Sequence, residues 1–145
     1  MFYNARVSDI VLGDFGQVEC VCGLTELFPD HADRLARMGL DMFAAKDEAA
    51  THFGVTIQMR IGIASGQVMA GIIGTHKFSY DVWGDAVNLA ARLESSGEVE
   101  RIQVSAEARG AMSGSWCDFE GRGEIEIKGL RPLETWVLVP RSAAS

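Results

Sequence analysis

Asn88 and Arg92 stand four residues apart in the run Phe78-Ser-Tyr-Asp-Val-Trp-Gly-Asp-Ala-Val-Asn-Leu-Ala-Ala-Arg92. On a helix that spacing stacks the two side chains on a common face. An amide and a guanidinium presented together near a helix N-terminus can hold an anionic, oxygen-rich ligand. Asp85 follows a glycine and precedes an alanine-rich run, which makes it an N-cap for a helix beginning at Ala86. On that helix Val87 and Ala91 share one face, and Leu89 and Leu93 share another. Asp81 lies just upstream, on the loop that feeds the helix. On spacing alone, the same pattern also describes an ordinary amphipathic helix with a polar outer face.

The elements that must position these residues are read along the chain. Val7, Ile10, Val11 and Leu12 favour an extended segment, with Gly13-Asp14 as a turn. Val18, Cys20 and Cys22 alternate with Gln17, Glu19 and Val21 in a strand closed by Gly23. Pro29-Asp30 opens a helix, with Asp30 as N-cap and Asp33 three residues on as a short-armed capping box. Ala32, Leu35, Met38, Met42 and Ala45 give its apolar stripe, and Gly54 ends it. His31 and His52 lie at its two ends and read as solvated or capping residues. Residues 55–64 and 68–73 then read as two strands joined at Ser65-Gly66, a hairpin signal. After the Asn88 helix come a short strand over 102–104, a short capped helix from Ser105, an extended stretch through Ile125 and Ile127, and a closing strand over 135–139. The order strand, helix, strand-strand, helix, strand predicts an α+β domain. Its pattern is ferredoxin-like, an antiparallel sheet covered by helices on one face.

The chain of 145 residues is long enough for one domain with a real core. Hydrophobic content of 48% and charged content of 23% describe a soluble globular protein. A net charge of -7 argues against a nucleic-acid surface, which needs a basic face. It leaves room for a nucleotide, because a few local cations can bind one triphosphate. The three cysteines suggest reduced core thiols and a cytoplasmic setting. No apolar run reaches the roughly 18 to 20 residues that span a bilayer, and no secretory signal opens the chain.

The run Tyr80-Asp-Val-Trp-Gly-Asp-Ala-Val-Asn-Leu-Ala-Ala-Arg-Leu-Glu94 resembles the signature of class III nucleotidyl cyclases, the adenylyl and guanylyl cyclase catalytic domain. The resemblance implies the same ferredoxin-like fold. It covers Gly23 to about Pro140 and divides the chain into an atypical or truncated segment 1–22, a cyclase domain 23–140 and a flexible tail 141–145. The implied reaction is attack of the ATP ribose 3′-hydroxyl on the α-phosphate, giving 3′,5′-cyclic AMP and pyrophosphate. Such chemistry rests on positioning and charge neutralisation. By position in the motif, Arg92 matches the arginine that stabilises charge at the α-phosphate, and Asn88 the asparagine that orients the ribose. Asp81 matches the base-selecting residue. An aspartate accepts a hydrogen bond from the exocyclic amine of adenine, where guanine offers a carbonyl oxygen, so it favours ATP. Arg60, in Met59-Arg-Ile-Gly-Ile63, and Lys128, in Ile127-Lys-Gly129, resemble the family's triphosphate-binding cations. Either also reads as a strand-edge charge facing water.

The metal side departs from the family. Two Mg2+ or Mn2+ ions are expected from the resemblance, held by two aspartates. Leu12-Gly-Asp14 looks like the second metal motif, but it lies two residues too far from Gly23. Ser8-Asp-Ile10 echoes the first, yet the helices that separate the two motifs in the family are missing. The lysine that partners the base-reading aspartate is absent. Family active sites form between two subunits, which implies a homodimer with two composite sites. The expected function is therefore an adenylyl cyclase in signal transduction. The alternatives are a silent cyclase-homology domain that binds nucleotide or dimerises, and a guanylyl cyclase.

Overall fold

The computed structural model describes residues 4–11, 19–22, 29–66, 69–73, 79–83, 85–126 and 131–141. Its elements are β1 (Asn4–Val11), β2 (Glu19–Cys22), α1 (His31–Phe53), β3 (Gln58–Gly66), β4 (Met69–Ile73), β5 (Ser79–Trp83), α2 (Asp85–Ser95), β6 (Ile102–Ser105), α3 (Ala106–Ala111), β7 (Cys117–Ile125) and β8 (Leu133–Pro140). Six strands form one sheet in the order β2-β1-β3-β6-β8-β7, and β4 pairs with β5 in a sheet of their own. The expected strand–helix order and α+β fold hold. One neighbouring pair, β3 with β6, is parallel rather than antiparallel. The long connection through β4, β5 and α2 supplies the crossover that a parallel pair requires.

Alternation along β3 decides where the helices go, since successive side chains point to opposite faces. Met59, Ile61 and Ile63 are buried with Ala32, Leu35 and Ala36 of α1, Ile102 and Val104 of β6, and Ala108 of α3. Ala64 is buried on the other side, with Ala90 and Leu93 of α2. Helices therefore cover both faces of the sheet, where the sequence pattern predicts one. A continuous buried run from Ile61 to Ser65 is the local signature of a strand covered twice.

The expected hairpin at Ser65-Gly66 does not form. β3 and β4 belong to different sheets, and β4 pairs instead with β5, from Met69 opposite Trp83 to Ile73 opposite Ser79. The segment carrying Asp81 is thus a strand, not a loop.

In α1 the capping box is replaced by longer-range bonds. Asp30 is the N-cap residue but makes no side-chain cap bond; its Oδ1 accepts from Arg34 Nε at 2.9 Å. Asp33 accepts from the Trp116 indole Nε1 at 2.7 Å and from the Ser113 backbone N–H at 3.2 Å, tying the helix start to the entry of β7. Gly54 closes the helix in the left-handed region, φ 65°, as expected. The buried stripe is Ala32, Leu35, Ala36, Gly39 and Lys46, while Ala45 faces solvent. His31 is buried rather than solvated, and burial pushes its imidazole below the usual range against the opposing pull of Asp30 and Asp33. His52 is exposed, as predicted. Lys46 is buried against Glu100 and Asp47. Desolvation acts to lower its ammonium pKa, and hydrogen bonds to the two carboxylates more than offset this, so the group sits above its ordinary value.

Candidate active site

The helix that carries Asn88 and Arg92 is seated by its other face. Ala86, Val87, Ala90, Leu93 and Glu94 are buried, whereas Asp85, Asn88, Ala91, Arg92 and Ser95 are exposed. The predicted Val87/Ala91 pairing is corrected, because Val87 packs inward and Ala91 faces out. The exposed series 85, 88, 92 and 95 has the 3–4 spacing of one helix face. The helix and its polar pair form as the motif predicts, one residue earlier than expected, within the usual spread of helix ends.

Gly62 of β3 makes this seating possible. A Cβ at that position would lie 2.4 Å from the Ala90 carbonyl oxygen and 2.5 Å from the Glu94 nitrogen. Only glycine lets the helix backbone approach the strand so closely. Two residues before it, Arg60 rises from the same face of β3. Its Nε lies 3.2 Å from Glu94 Oε1, and its Nη1 donates to the Ser95 carbonyl at 3.4 Å. The Glu94 side chain is 5% exposed and that of Arg60 31%. Arg60 is therefore committed to the underside and C-terminal end of α2.

On the outer face, Arg92 Nε donates to the Glu126 carbonyl oxygen at 3.3 Å. Glu126 is the last described residue before Lys128, so the chain reaches the Arg92 guanidinium two residues ahead of that lysine. Lys128 itself lies outside the described residues, as does Asp14. Arg122 reinforces the approach of β7 to the end of α2, donating from Nη2 to the Ser96 carbonyl at 3.1 Å and pairing from Nη1 with Glu98 at 3.1 Å. The Asp81 backbone stands opposite Gly71 in the β4–β5 ribbon, immediately before α2. The structure thus joins Asn88, Arg92 and the approach to Lys128 on the outer side of α2, and places Arg60 beneath it.

Among the described residues no group of three or more His, Cys, Asp or Glu converges on a possible metal position. β1 lies between β2 and β3, antiparallel to both, and its register against β3 is irregular between Ser8 and Ile10, at Asp9. Residues 12–18, which include Asp14, connect β1 to the adjacent β2. Sequence reasoning missed Gly62 and Glu94 altogether. A glycine inside an apolar strand and a carboxylate next to the buried Leu93 were the available signals.

The sequence pattern of the adenylate and guanylate cyclase catalytic domain matches residues 12–140, and the chain belongs to that family. An adenylate cyclase from Mycobacterium tuberculosis is 39% identical over 125 residues, covering 86% of this chain and 28% of that protein. A membrane guanylyl cyclase from Dictyostelium discoideum is 40% identical over 119 residues, covering 82% of this chain and 8% of that one. The chain therefore spans less than a third of either relative. The solved structure of the adenylyl cyclase CyaB from P. aeruginosa superposes with a TM-score of 0.83 at 22% identity, over 97% of this chain and 94% of that one. The guanylate cyclase domain of RhGC from Catenaria anguillulae, in complex with GTP, superposes at 0.84 and 24% identity, over 97% of each chain. These superpositions establish the class III cyclase fold. Among the described residues, no helix is long and apolar enough to cross a membrane.

Proposed function

We propose that this domain is an adenylyl cyclase catalytic domain, converting ATP to 3′,5′-cyclic AMP and pyrophosphate at sites shared between two copies of the chain. The observation that carries the reading is the outer face of α2, where Asn88 and Arg92 are exposed together and Arg92 meets the backbone leading to Lys128. In the reaction the ribose O3′ bonds to the α-phosphorus as the bond from that phosphorus to the pyrophosphate oxygen breaks. Arg92 donates to the α-phosphate oxygens, where charge accumulates, and Asn88 holds the ribose so that O3′ is in line. Lys128 neutralises the departing phosphates. Asp81 accepts from the exocyclic amine of adenine, which favours ATP over GTP.

The donor set suits divalent cations. Asp9 stands at the irregular point of β1, the strand between β2 and β3, and Asp14 in the connection that follows, two hard carboxylate ligands of the kind Mg2+ or Mn2+ prefers. Such ions, when bound, supply charge neutralisation to the triphosphate. The metal aspartates of one copy then serve the Asn88 and Arg92 of the other. The family's operation on ATP or GTP in cell signalling, and a cytoplasmic location, belong to the same reading.

The test is cyclic nucleotide production from ATP and, separately, GTP, with Mn2+ and with Mg2+. Product from ATP, reduced about a hundredfold to a thousandfold by Arg92→Ala, is the expected result. Arg92→Ala and Asp14→Ala chains, each inactive, should recover partial activity when mixed, because one competent composite site then forms. Product from GTP only would reassign the substrate. No product from either nucleotide would favour a second reading, a cyclase-homology domain that binds nucleotide or dimerises. The observation behind that second reading is the direct β1–β2 connection, which replaces the family's intervening helices.

A further inference from the structure

Arg60 and Glu94 form a contact that the chemistry above does not use. Glu94 is the only carboxylate on the buried face of α2, its side chain 5% exposed. A carboxylate so placed is costly unless a cation or donors meet it. Arg60 approaches from β3, its Nε 3.2 Å from Glu94 Oε1, and its Nη1 donates at 3.4 Å to the Ser95 carbonyl at the helix C-terminus. A cation at that end also faces the negative pole of the helix. Two residues along β3, Gly62 holds the helix backbone against the strand at Ala90 and Glu94. Gly62 thus sets the distance of α2 from the sheet, and the Arg60–Glu94 pair sets its roll. Glu94 and Arg92 are two residues apart, so they point to opposite sides of the helix, about 200° apart. Whatever holds Glu94 inward therefore aims Arg92 outward, toward the Glu126 carbonyl that it reaches at 3.3 Å.

We infer that Arg60 and Glu94 are positioning residues that fix the roll of α2 and so aim Asn88 and Arg92 at the nucleotide. The inference rests on the cyclase reading of α2 for its consequence, and on the geometry for its mechanism. It also changes the role expected of Arg60, from a ligand of the triphosphate to a support beneath the helix.

Glu94→Gln keeps the shape of the side chain and removes the charge; Arg60→Lys keeps the charge and removes the fork. Each should lower kcat about tenfold to a hundredfold while KM for the nucleotide changes less than about threefold, since misplacement of a reacting group by about 1 Å has effects of this order. The Arg60→Met/Glu94→Leu double variant should recover the melting temperature, because an apolar pair tolerates burial, and should still lack kcat. Recovery of both would show a purely structural pair and overturn the inference. So would a tenfold rise in KM in Arg60→Met with Glu94→Gln unaffected, which would return Arg60 to the triphosphate. A second readout needs no turnover: the Arg92 Nε–H cross-peak in a 15N-resolved NMR spectrum reports its bond to the Glu126 carbonyl. Glu94→Gln should shift that peak and speed its exchange with water. An unmoved peak overturns the inference whether or not the domain is active. A wild-type chain that makes no cyclic nucleotide, yet shows the peak moving in Glu94→Gln, sinks the cyclase reading and leaves the positioning pair standing.

Discussion

The two faces of β3 are built from different kinds of contact. On the face of Met59, Ile61 and Ile63, the neighbours in α1, β6 and α3 are met by the ends of apolar side chains. On the face of Arg60, Gly62 and Ala64, the neighbour is the backbone of α2 itself. Side-chain ends can yield by a few tenths of an ångström, whereas a helix backbone moves only as a unit. One face therefore stores stability and the other stores geometry. Each has a glycine that reads the difference: Gly39 of α1 faces the first, and Gly62 belongs to the second.

Gly62→Ala should have the largest effect. Its Cβ would sit 2.4 Å from the Ala90 carbonyl oxygen, closer than any non-bonded carbon and oxygen remain, so α2 must lift or slide. Overpacking of this type costs about 1–3 kcal/mol. The greater loss should be in turnover, about a hundredfold or more, because Asn88 and Arg92 travel with the helix. Thermal unfolding and cyclic AMP production on the same sample separate the two. A variant that keeps its kcat would show that the seat of α2 does not fix the site.

Gly39→Ala is the matched control on the other face. Its Cβ would meet Ile102 Cδ1 at 3.1 Å and Ile61 Cδ1 at 3.2 Å, both at the ends of side chains that can turn aside. Alanine is favoured over glycine inside a helix by about 1 kcal/mol, which offsets the crowding. Urea unfolding should place the variant within about 1 kcal/mol of the parent, with kcat unchanged within about twofold. A loss as large as that of Gly62→Ala would erase the distinction between the faces.

The sequence was informative where one element's own pattern determines its structure. α2 was legible because its polar face repeats at helical spacing and the Tyr80–Glu94 run is long. The glycine that closes α1 was legible because the left-handed position at Gly54 requires it. What escaped was set by partners distant in the chain. The capping box at Asp30 failed because Asp33 bonds to Trp116 and Ser113, which only the folded chain brings near. The Ser65-Gly66 hairpin failed because β4 found a better partner in β5. Helices on both faces were missed because a buried strand loses the alternation that would announce which side is covered. The place of Arg60 beneath α2 was illegible too, because it depends on Glu94, far along the chain.

The smallest effect concerns the side of the core away from α2, at the start of α1. His31 is buried in the first turn, and burial lowers its pKa from the ordinary 6.5 despite the opposing influence of Asp30 and Asp33. Above pH 6.5 the imidazole is neutral in both folded and unfolded chains, and it adds no pH dependence. Below 6.5 the unfolded chain binds a proton that the folded chain refuses, so stability falls as the pH falls, until the depressed folded pKa is reached. The slope from this one group is at most about 1.4 kcal/mol per pH unit. The exposed Asp30–Arg34 and Asp118–Arg141 pairs hold their carboxylates below the usual 3.8, so their contribution is lost only at more acidic pH. Urea unfolding at pH 7.5 and pH 5.5 should show the parent losing stability and His31→Gln losing less. Equal losses in the two proteins would remove His31 as the cause. A loss of activity at pH 5.5 without a change in unfolding midpoint would place the sensitive group on the α2 face instead.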